Sequence, residues 1–350
     1  MEDKTATVDN RERPLVTFAL FTYNQERFVQ EAIEAAFAQT YEPLEIIFSD
    51  DCSSDKTFDL LQEAAQSYKG PHSVSVRQTP NNLGTLLHVA SVAKVSKGDF
   101  FVLAAGDDIS KPNRVERLAK QLMSTGAWGV FSKFDRINDK GEISARNQES
   151  LALMSPNYRL REFFYKDEGD VQIIHGGTSA YDKRIFQYLS LTSDDYVLSE
   201  DGVLSVLLNL LGKKITKIDD SLVFYRVSDQ SLTNSTSRTL SFASIKNAEI
   251  GIERLARSQE NRCNLFLRLH ELLDRQKVRR LNESEVTLEL KMQRVLARPG
   301  ETTFLERLRH LLLNLNSRNI RWILPRLLGL KAFFVAKFVS NWVLYIVRSK

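Results

Sequence analysis

Three pairs of adjacent acidic residues stand out along the chain, each placed where two carboxylates could serve chemistry. They are Asp50-Asp51, Asp107-Asp108 and Glu200-Asp201. Adjacent carboxylates repel one another, and a hard divalent cation with oxygen ligands relieves that repulsion. The strongest signal is Asp107-Asp108, because the pair closely follows an apolar run at residues 100–104. A cation held there could bridge to a diphosphate and stabilise negative charge on a departing nucleotide.

Each pair also has a structural interpretation that requires no ligand. Asp108 could cap the helix predicted to follow it, and spacing alone does not decide between capping and metal binding. Asp50-Asp51 could form a turn. Glu200-Asp201 suits the start of a helix, where the helix dipole favours negative charge. The functional interpretation makes one residue of this last pair a general base that takes a proton from an attacking hydroxyl.

Strand and helix signals alternate through the first half of the chain. Runs typical of strands occur at residues 15–21, 44–48, 73–77, 100–104, 129–134, 214–218 and 222–227. The alternation predicts an α/β fold with a mostly parallel sheet and helices on both faces. Ligands bind such sheets beyond the carboxyl ends of the strands. Because Thr22-Tyr23-Asn24, Asp50-Asp51 and Asp107-Asp108 all follow strands, we expect them to meet at one site.

Composition places the chain among folded proteins of a reducing compartment. It is 43% hydrophobic and 26% charged, which is ordinary for a globular protein. Cys52 and Cys263 are the only cysteines, too few for a disulfide framework or a Cys-rich metal site. The polar first residues lack the apolar core of a secretory signal. We therefore expect a cytoplasmic protein with a disordered N-terminus at residues 1–13.

The C-terminal residues 301–350 are predicted to form a basic, amphipathic helical tail. Residues 307–350 carry nine Lys and Arg and no acid, although the net charge of the whole chain is only +4. At 100° per residue, Lys337, Ser340, Asn341 and Arg348 fall within one arc, and the apolar residues lie mostly outside it. The pattern fits a helix lying peripherally on an anionic membrane, the inner face of the plasma membrane. Alternatively, the apolar face packs on the catalytic domain or joins two copies of the chain as a homo-oligomer.

Read in order, these motifs resemble glycosyltransferase family 2, the inverting family with the A-type glycosyltransferase fold. The resemblance covers roughly residues 14–232. It is carried by Thr22-Tyr23-Asn24-Gln25-Glu26, Ala38-Gln39-Thr40-Tyr41, Asp50-Asp51-Cys52-Ser53-Ser54-Asp55, Asn82-Leu83-Gly84, Gly106-Asp107-Asp108, Glu200-Asp201 and Tyr225-Arg226. It implies a catalytic domain at residues 14–234, followed by a helical extension at residues 235–300.

The resemblance also implies residue roles. Thr22, Tyr23 and Asp51 would bind the base of a nucleotide-sugar donor, such as a UDP-sugar, with Glu26 nearby. Asp107 would contact the ribose. Asp108 would bind a divalent metal, Mn²⁺ or Mg²⁺, on the diphosphate. Asp201 would be the catalytic base that activates a hydroxyl of a glycan or polyprenyl-linked acceptor, as in O-antigen or capsule synthesis.

Two departures from the family pattern leave another function open. Ala105 stands where many members carry a further acid, and Val227-Ser228 stands where a histidine often follows Tyr225-Arg226. A catalytically silent relative that binds a nucleotide and acts as a partner subunit is therefore the alternative. A nucleotidyltransferase is disfavoured because no Gly-rich phosphate loop with a basic residue lies near the N-terminus. Nucleic acid is not an expected partner, because the excess basic charge lies in an apolar tail.

Overall fold

The computed structural model describes residues 13–149, 164, 173–174, 176–227, 242–273 and 281–297. The strands are β1 (Val16–Thr22), β2 (Leu44–Asp50), β3 (Ser73–Gln78), β4 (Phe100–Ala105), β5 (Ile109–Ser110), β6 (Gly129–Ile137), β7 (Ile143–Gln148), β8 (Ser179–Asp182) and β9 (Ile215–Arg226). The helices are α1 (Val29–Phe37), α2 (Thr57–Ser67), α3 (Thr85–Val95), α4 (Arg114–Thr125), α5 (Glu200–Leu210), α6 (Phe242–Leu273) and α7 (Glu283–Ala297). The first twelve residues and the tail at 301–350 lie outside this description, so their predicted disorder and amphipathic helix stay predictions.

The strands form one mixed sheet in the order β3-β2-β1-β4-β8-β6-β9-β5, with β7 paired to β6. The first four strands are parallel, as the alternation of strands and helices predicts. Strand β8 runs antiparallel between β4 and β6. The second half of the sheet also contains the antiparallel pairs β5–β9 and β6–β7 and the parallel pair β6–β9. The α/β class with a helical C-terminal region is confirmed, and the sheet is mixed rather than parallel throughout.

Helices cover both faces of the sheet because alternate residues of its strands point to opposite sides. On one face, Val16, Phe18 and Leu20 of β1 pack with α1, α2 and α4. On the other face, Ala19 packs in a core that includes residues of α3, α5, α6 and α7. Burial on both faces explains why the central strands read as continuous apolar runs rather than as alternating ones.

The last long strand differs from its sequence-based prediction. Residues 214–218 and 222–227 were expected to form two strands, but β9 is continuous from Ile215 to Arg226. Its register against β6 shifts where Ser132 pairs with Ile218 and Lys133 pairs with Ser221. The exposed Asp219 and Asp220 occupy this irregularity. A bulge interrupts the pattern of side chains without ending the strand, which explains the apparent break.

The helices α6 and α7 pack together behind the sheet. The imidazole of His270 in α6 accepts a hydrogen bond from Leu281 N (3.2 Å), and its other ring nitrogen lies 3.0 Å from a carboxylate oxygen of Glu283 in α7. Phe266 of α6 and Val286 of α7 belong to the same buried cluster. Within the ranges described, no helix has the length and apolar character needed to cross a membrane.

Candidate active site

The loops that follow β1 and β2 are joined by hydrogen bonds at the carboxyl edge of the sheet. Thr22 Oγ1 donates to Asp50 Oδ1 (3.0 Å). Asn24, with a left-handed φ of 52°, accepts a hydrogen bond at Oδ1 from Ser54 N (2.8 Å). Asn tolerates this conformation better than most residues. The intervening Tyr23 is 43% exposed, so its side chain is partly accessible.

Glu26 and Asp55 lock the same two loops together. Glu26 N donates to Asp55 Oδ2 (3.1 Å), and Lys56 N donates to Glu26 Oε2 (3.0 Å). Asp55 Oδ1 accepts from Thr57 N (3.0 Å) at the start of α2. Burial raises the pKa of Asp55, but the hydrogen bonds from Thr57 outweigh it and lower the pKa overall. Glu26 therefore lies at the rim of the site and shapes its loop.

Asp51 is almost fully buried, and both oxygens of its carboxylate accept hydrogen bonds from the protein. Oδ1 accepts from Thr79 Oγ1 (2.9 Å) and Leu83 N (2.9 Å), and Oδ2 accepts from Gly84 N (3.0 Å). Asp51 thus fixes the turn that leads into α3. This turn is a different one from the turn considered for Asp50-Asp51 themselves, and contact between Asp51 and a nucleotide base stays a prediction.

The second acidic pair, Asp107-Asp108, follows β4 and lies beside the loop after β1. Gly106 N donates to Phe21 O (2.9 Å), and a Cβ at Gly106 would collide with the side chains of Thr22 and Gln25. Asp51 N likewise donates to Thr22 O (2.9 Å). The three polar clusters that follow β1, β2 and β4 therefore converge on one edge, as expected for a parallel sheet.

Asp108 is the least satisfied side chain at this edge. Its Oδ1 accepts a hydrogen bond from Arg226 N (2.9 Å), whereas its buried Oδ2 has no hydrogen-bond partner among the described residues. Burial first, and then the neighbouring Asp107 carboxylate, raise the pKa of Asp108 well above its usual range. Burial also raises the pKa of Asp107. A cation beside Oδ2 would offset both effects.

The structure does not show the capping role considered for Asp108. Helix α4 begins at Arg114, after Asn113, and β5 separates it from Asp108. Over the ranges that the structure describes, no cluster of three or more His, Cys, Asp or Glu could hold a metal ion. The chemistry of the orphaned Asp108 Oδ2, a carboxylate oxygen, fits that of one ligand to a divalent cation.

Two buried arginines brace this pair of acids. Arg114, in α4, donates to Ser110 Oγ (2.8 Å), Leu103 O (2.5 Å) and Gly177 O (3.0 Å). Burial lowers its pKa to about 10 against the opposing effect of Asp108, so Arg114 stays charged at neutral pH. No sequence pattern marks Arg114, because an arginine that is buried in a folded helix has the same local pattern as a surface arginine.

The second buried arginine, Arg226, lies at the end of β9. Its Nε donates to Asp107 O (2.9 Å), and its Nη2 pairs with Glu31 Oε1 of α1 (3.0 Å). Its Nη1 donates to the carbonyl oxygens of Asn138 (3.0 Å) and Asp139 (3.2 Å) in the β6–β7 turn. Every nitrogen of the guanidinium is therefore used by the protein, and the group ties three elements to the backbone of Asp107.

A pair of glycines lies between Asp108 and the third acidic pair. A Cβ on Gly177 would lie 3.2 Å from Asp108 Oδ2, and one on Gly176 would overlap Glu200 Oε1. Side chains here would thus fill the space between the two acidic clusters. The residue that precedes this pair, His175, lies outside the described residues.

Glu200 and Asp201 begin α5. Asp201 Oδ1 accepts from Ser199 Oγ (2.7 Å) and Gly202 N (2.7 Å), which orients its carboxylate at the helix start. Burial, and then the charge of Asp201, raise the pKa of Glu200 to about 7. A pKa near neutrality suits a group that exchanges protons during catalysis. The geometry therefore offers two adjacent carboxylates for the role that the resemblance gave to Asp201.

Comparison with known proteins bears on the family of this chain. Residues 17–190, about half of the chain, match the family model described as Glycosyl transferase family 2. The chain is 27% identical over 201 residues to an uncharacterized glycosyltransferase of Rickettsia typhi (strain ATCC VR-144 / Wilmington), covering 55% of this chain and 58% of that protein. It is 33% identical over 130 residues to the putative glycosyltransferase EpsE of Bacillus subtilis (strain 168), covering 35% of this chain and 45% of EpsE. Matches to the first curated relatives span 33% to 58% of their length.

Among solved structures, residues 1–349 of S. aureus TarS in complex with UDP-GlcNAc show a similar fold. The TM-score is 0.50 at 15% sequence identity, over 90% of this chain and 78% of the TarS chain. At this identity the likeness shows the fold alone, and the fold is the A-type glycosyltransferase fold. The family match, the order of the motifs and the mixed sheet agree, and the chain therefore belongs to glycosyltransferase family 2.

Proposed function

We propose that the protein is an inverting, metal-dependent glycosyltransferase. It moves a sugar, of the hexosyl type, from a nucleotide-diphosphate sugar to a hydroxyl of a glycan or lipid-linked acceptor in surface polysaccharide synthesis. A UDP-sugar is the first donor to test, because the TarS structure with the same fold holds UDP-GlcNAc. The surface-polysaccharide role rests on the resemblance of the motifs.

The observation that carries this proposal is the orphaned oxygen of Asp108. A buried carboxylate oxygen without a hydrogen-bond donor is costly, and here a second acid, Asp107, lies beside it. A bound cation would offset the electrostatic repulsion between the two carboxylates. Its position beyond the carboxyl end of β4, next to the loops after β1 and β2, is where a nucleotide would be expected to bind.

Each predicted donor-binding residue has a part in this proposal. Tyr23 presents its exposed ring to the base, and Thr22 and Asp51 hold the loops on either side of it. Asp107 faces the ribose, and Asp108 holds Mn²⁺ or Mg²⁺. A bound divalent cation would stabilise the negative charge that develops on the departing nucleotide diphosphate.

Asp201 acts as the general base in this proposal. The acceptor hydroxyl gives its proton to the Asp201 carboxylate while its oxygen attacks the anomeric carbon of the donor. The bond from that carbon to the diphosphate breaks on the opposite side, so the configuration inverts and the nucleotide diphosphate leaves. The hydrogen bonds from Ser199 and Gly202 to Oδ1 orient the Asp201 carboxylate at the start of α5.

The alternative is a catalytically silent relative that binds a nucleotide and serves as a partner subunit. Ala105 and the absence of a histidine after Tyr225-Arg226 are the observations that favour it. Catalysis is the stronger proposal. A subunit that only binds a nucleotide would not need the acids Glu200 and Asp201, which Gly176 and Gly177 separate from Asp108.

Release of free sugar from a panel of nucleotide-sugars tests the proposal. The panel contains UDP-, GDP-, dTDP- and CMP-sugars, each assayed with Mn²⁺, with Mg²⁺ and with EDTA. We expect release from one class of donor that depends on the metal, while Asp108→Asn abolishes it. Binding of a nucleotide by calorimetry without release from any donor, with or without glycan acceptors, would favour the silent relative.

A further inference from the structure

The segment that leads into the third acidic pair, residues 190–199, is held on both sides. On one side lies the start of α3, where Leu86 N and Thr85 Oγ1 both donate to Val197 O, each at 3.1 Å. The turn before α3 is fixed by the Asp51 carboxylate, which accepts hydrogen bonds from Leu83 N and Gly84 N. The connecting segment therefore joins the nucleotide edge of the sheet to Glu200 and Asp201.

Helix α6 holds the other side of the connecting segment. Ser258 Oγ accepts from Leu198 N (2.8 Å). Asn261 Nδ2 donates to two carbonyl oxygens of the segment, those of Asp194 (2.9 Å) and Tyr196 (3.2 Å). The Asn261 amide thus holds two peptide carbonyls of the segment. Both contacts require a hydrogen-bond donor at this position.

Farther along α6, an ion pair also joins this helix to the connecting segment. Arg268 Nη2 lies 2.6 Å from Asp195 Oδ2 and also donates to Ser190 O (3.2 Å). The side chain of Asp195 is only 5% exposed, and it accepts a further hydrogen bond from Thr192 N (2.7 Å). A charge-assisted hydrogen bond at a buried carboxylate is strong and directional, so it fixes the fold of the segment.

Apolar contacts join α6 to the helix that begins with the acidic pair. The buried cluster on this face contains Cys263, Leu265, Phe266 and Leu269 of α6, Val203, Leu204 and Leu207 of α5, and Val197 of the connecting segment. The segment, α5 and α6 therefore form one packed unit. The part of the chain that matches the family model ends at residue 190, so this whole unit lies beyond it.

We infer that α6 belongs to the catalytic unit, and that Asn261 and Arg268 are positioning residues that fix Glu200 and Asp201 through the connecting segment. This inference rests on the proposed function. The donor side of the site is braced by Arg114 and Arg226 instead. Loosening the connecting segment should therefore slow transfer to the acceptor and leave the affinity for nucleotide and metal unchanged.

Three substitutions at two positions in α6 and one control test the inference. Asn261→Asp keeps the size of the side chain but replaces the amide donor with an oxygen that faces two carbonyl oxygens. Arg268→Gln removes the ion pair, and Arg268→Lys restores the charge. Arg257→Gln changes an exposed arginine on the same helix and serves as the control.

The readouts separate positioning from general damage. Hydrogen exchange of peptides covering residues 190–204 and 100–110 reports on the two sides of the site, and calorimetry with UDP and Mn²⁺ reports on the donor side. Turnover is measured with whichever donor of the panel the wild type hydrolyses. We expect faster exchange at 190–204 only, UDP affinity within about twofold and kcat lower by roughly tenfold or more, because small misplacements of catalytic groups are costly. Arg268→Lys should recover part of kcat.

Three results would overturn the inference. Unchanged exchange at residues 190–204 in both variants would show that α6 does not hold the segment. Faster exchange with unchanged kcat would show that the segment does not position the acids. Loss of UDP binding in step with kcat would assign Asn261 and Arg268 to general stability. Absence of turnover in the wild type with every donor would instead be a failure of the proposed function, which the exchange comparison does not depend on.

Discussion

At the scale of single residues, the buried acids of the site differ in how many hydrogen bonds the protein donates to them. Asp51 has three donors for its two oxygens, whereas Asp108 has one donor for two oxygens although it is as deeply buried. A folded protein seldom leaves a buried polar atom unsatisfied, and exceptions often mark functional sites. The contrast separates Asp51, whose carboxylate is satisfied within the fold, from Asp108, which we propose as the metal ligand.

Asp108→Asn should keep the fold and remove the metal dependence of donor binding. The change relieves the repulsion with Asp107, so the unfolding temperature should stay the same or rise. Turnover should fall by at least roughly 10²-fold, because the cation's stabilisation of the leaving group is lost. Calorimetric titration of Mn²⁺ in the presence of UDP gives a direct reading. Asp99→Asn, an exposed acid just before β4, is the matched control. Full transfer activity of Asp108→Asn in Mn²⁺ would remove Asp108 as the metal ligand.

The two acids at the start of α5 should separate in a pH profile. Asp201→Asn should leave donor affinity nearly intact and lower kcat by roughly 10²–10⁴-fold, the usual contribution of a positioned base. Glu200→Gln should be milder. Since the pKa of Glu200 is raised to about 7, its charge appears only as the pH rises through 7, and wild-type kcat should rise across that range if the ionised form is needed. Glu200→Gln should remove this rise. A larger loss of kcat in Glu200→Gln than in Asp201→Asn would move the role of base to Glu200.

At the scale of elements, the sequence predicts the parallel half of the sheet well and the second half less completely. Strands β1, β2 and β4 are apolar runs of six or seven residues followed by acids or polar loops, a pattern with few other interpretations. Strand β8 has only four residues, Ser179–Asp182, and its position between β4 and β6 depends on long-range pairing that no local pattern encodes.

The hydrogen bonds that Arg226 makes around the site could not be predicted from the sequence either, because they too depend on long-range contacts. Asp107 and Asp108 were found because two acids after a strand are unusual. Arg226 was noticed only as part of a family motif, and nothing local shows that its side chain is buried against the β6–β7 turn. Its acceptors are carbonyl oxygens, which every residue possesses, so their arrangement becomes visible only in the folded chain.

Arg226→Lys should weaken the link between β9, α1 and the backbone of Asp107. A lysine keeps the charge but cannot reproduce the fork of hydrogen bonds. We expect the free energy of unfolding to fall by about 1–3 kcal/mol, the cost of leaving buried acceptors unsatisfied. Affinity for Mn²⁺ with UDP should also fall, because Asp108 Oδ1 depends on Arg226 N. Chemical denaturation and calorimetry measure the two effects. Arg117→Lys, at an exposed ion pair with Asp220, is the control and should change neither. Unchanged metal affinity in a destabilised Arg226→Lys would limit Arg226 to a structural role.

At the scale of the whole molecule, charge is divided between a body and a tail. Residues 307–350 carry nine basic side chains against a net charge of +4 for the chain, so the remainder is net negative. The described catalytic region presents only scattered large apolar side chains at its surface, such as Val95 and Met123. Single exposed apolar residues of this kind are ordinary and mark no binding surface. The tail, with its excess of basic residues, is therefore the segment in which we predict any attraction to an anionic membrane.

Deleting residues 319–350 should abolish binding to anionic membranes without loss of the catalytic fold. In residues 331–347, Lys337, Ser340 and Asn341 share one arc of the predicted helix, while Phe334, Phe338 and Trp342 lie outside it. Such a helix binds through its apolar face, and the basic residues upstream are attracted to anionic lipid. The full-length protein should sediment with liposomes containing anionic lipid at low salt, and binding should weaken as salt rises, because screening shortens the reach of surface charge. The truncated protein should stay in the supernatant and keep its affinity for UDP and Mn²⁺. If the full-length protein ignores these liposomes but forms dimers that the deletion dissociates, as measured by sedimentation equilibrium, the tail is an interface between copies of the chain.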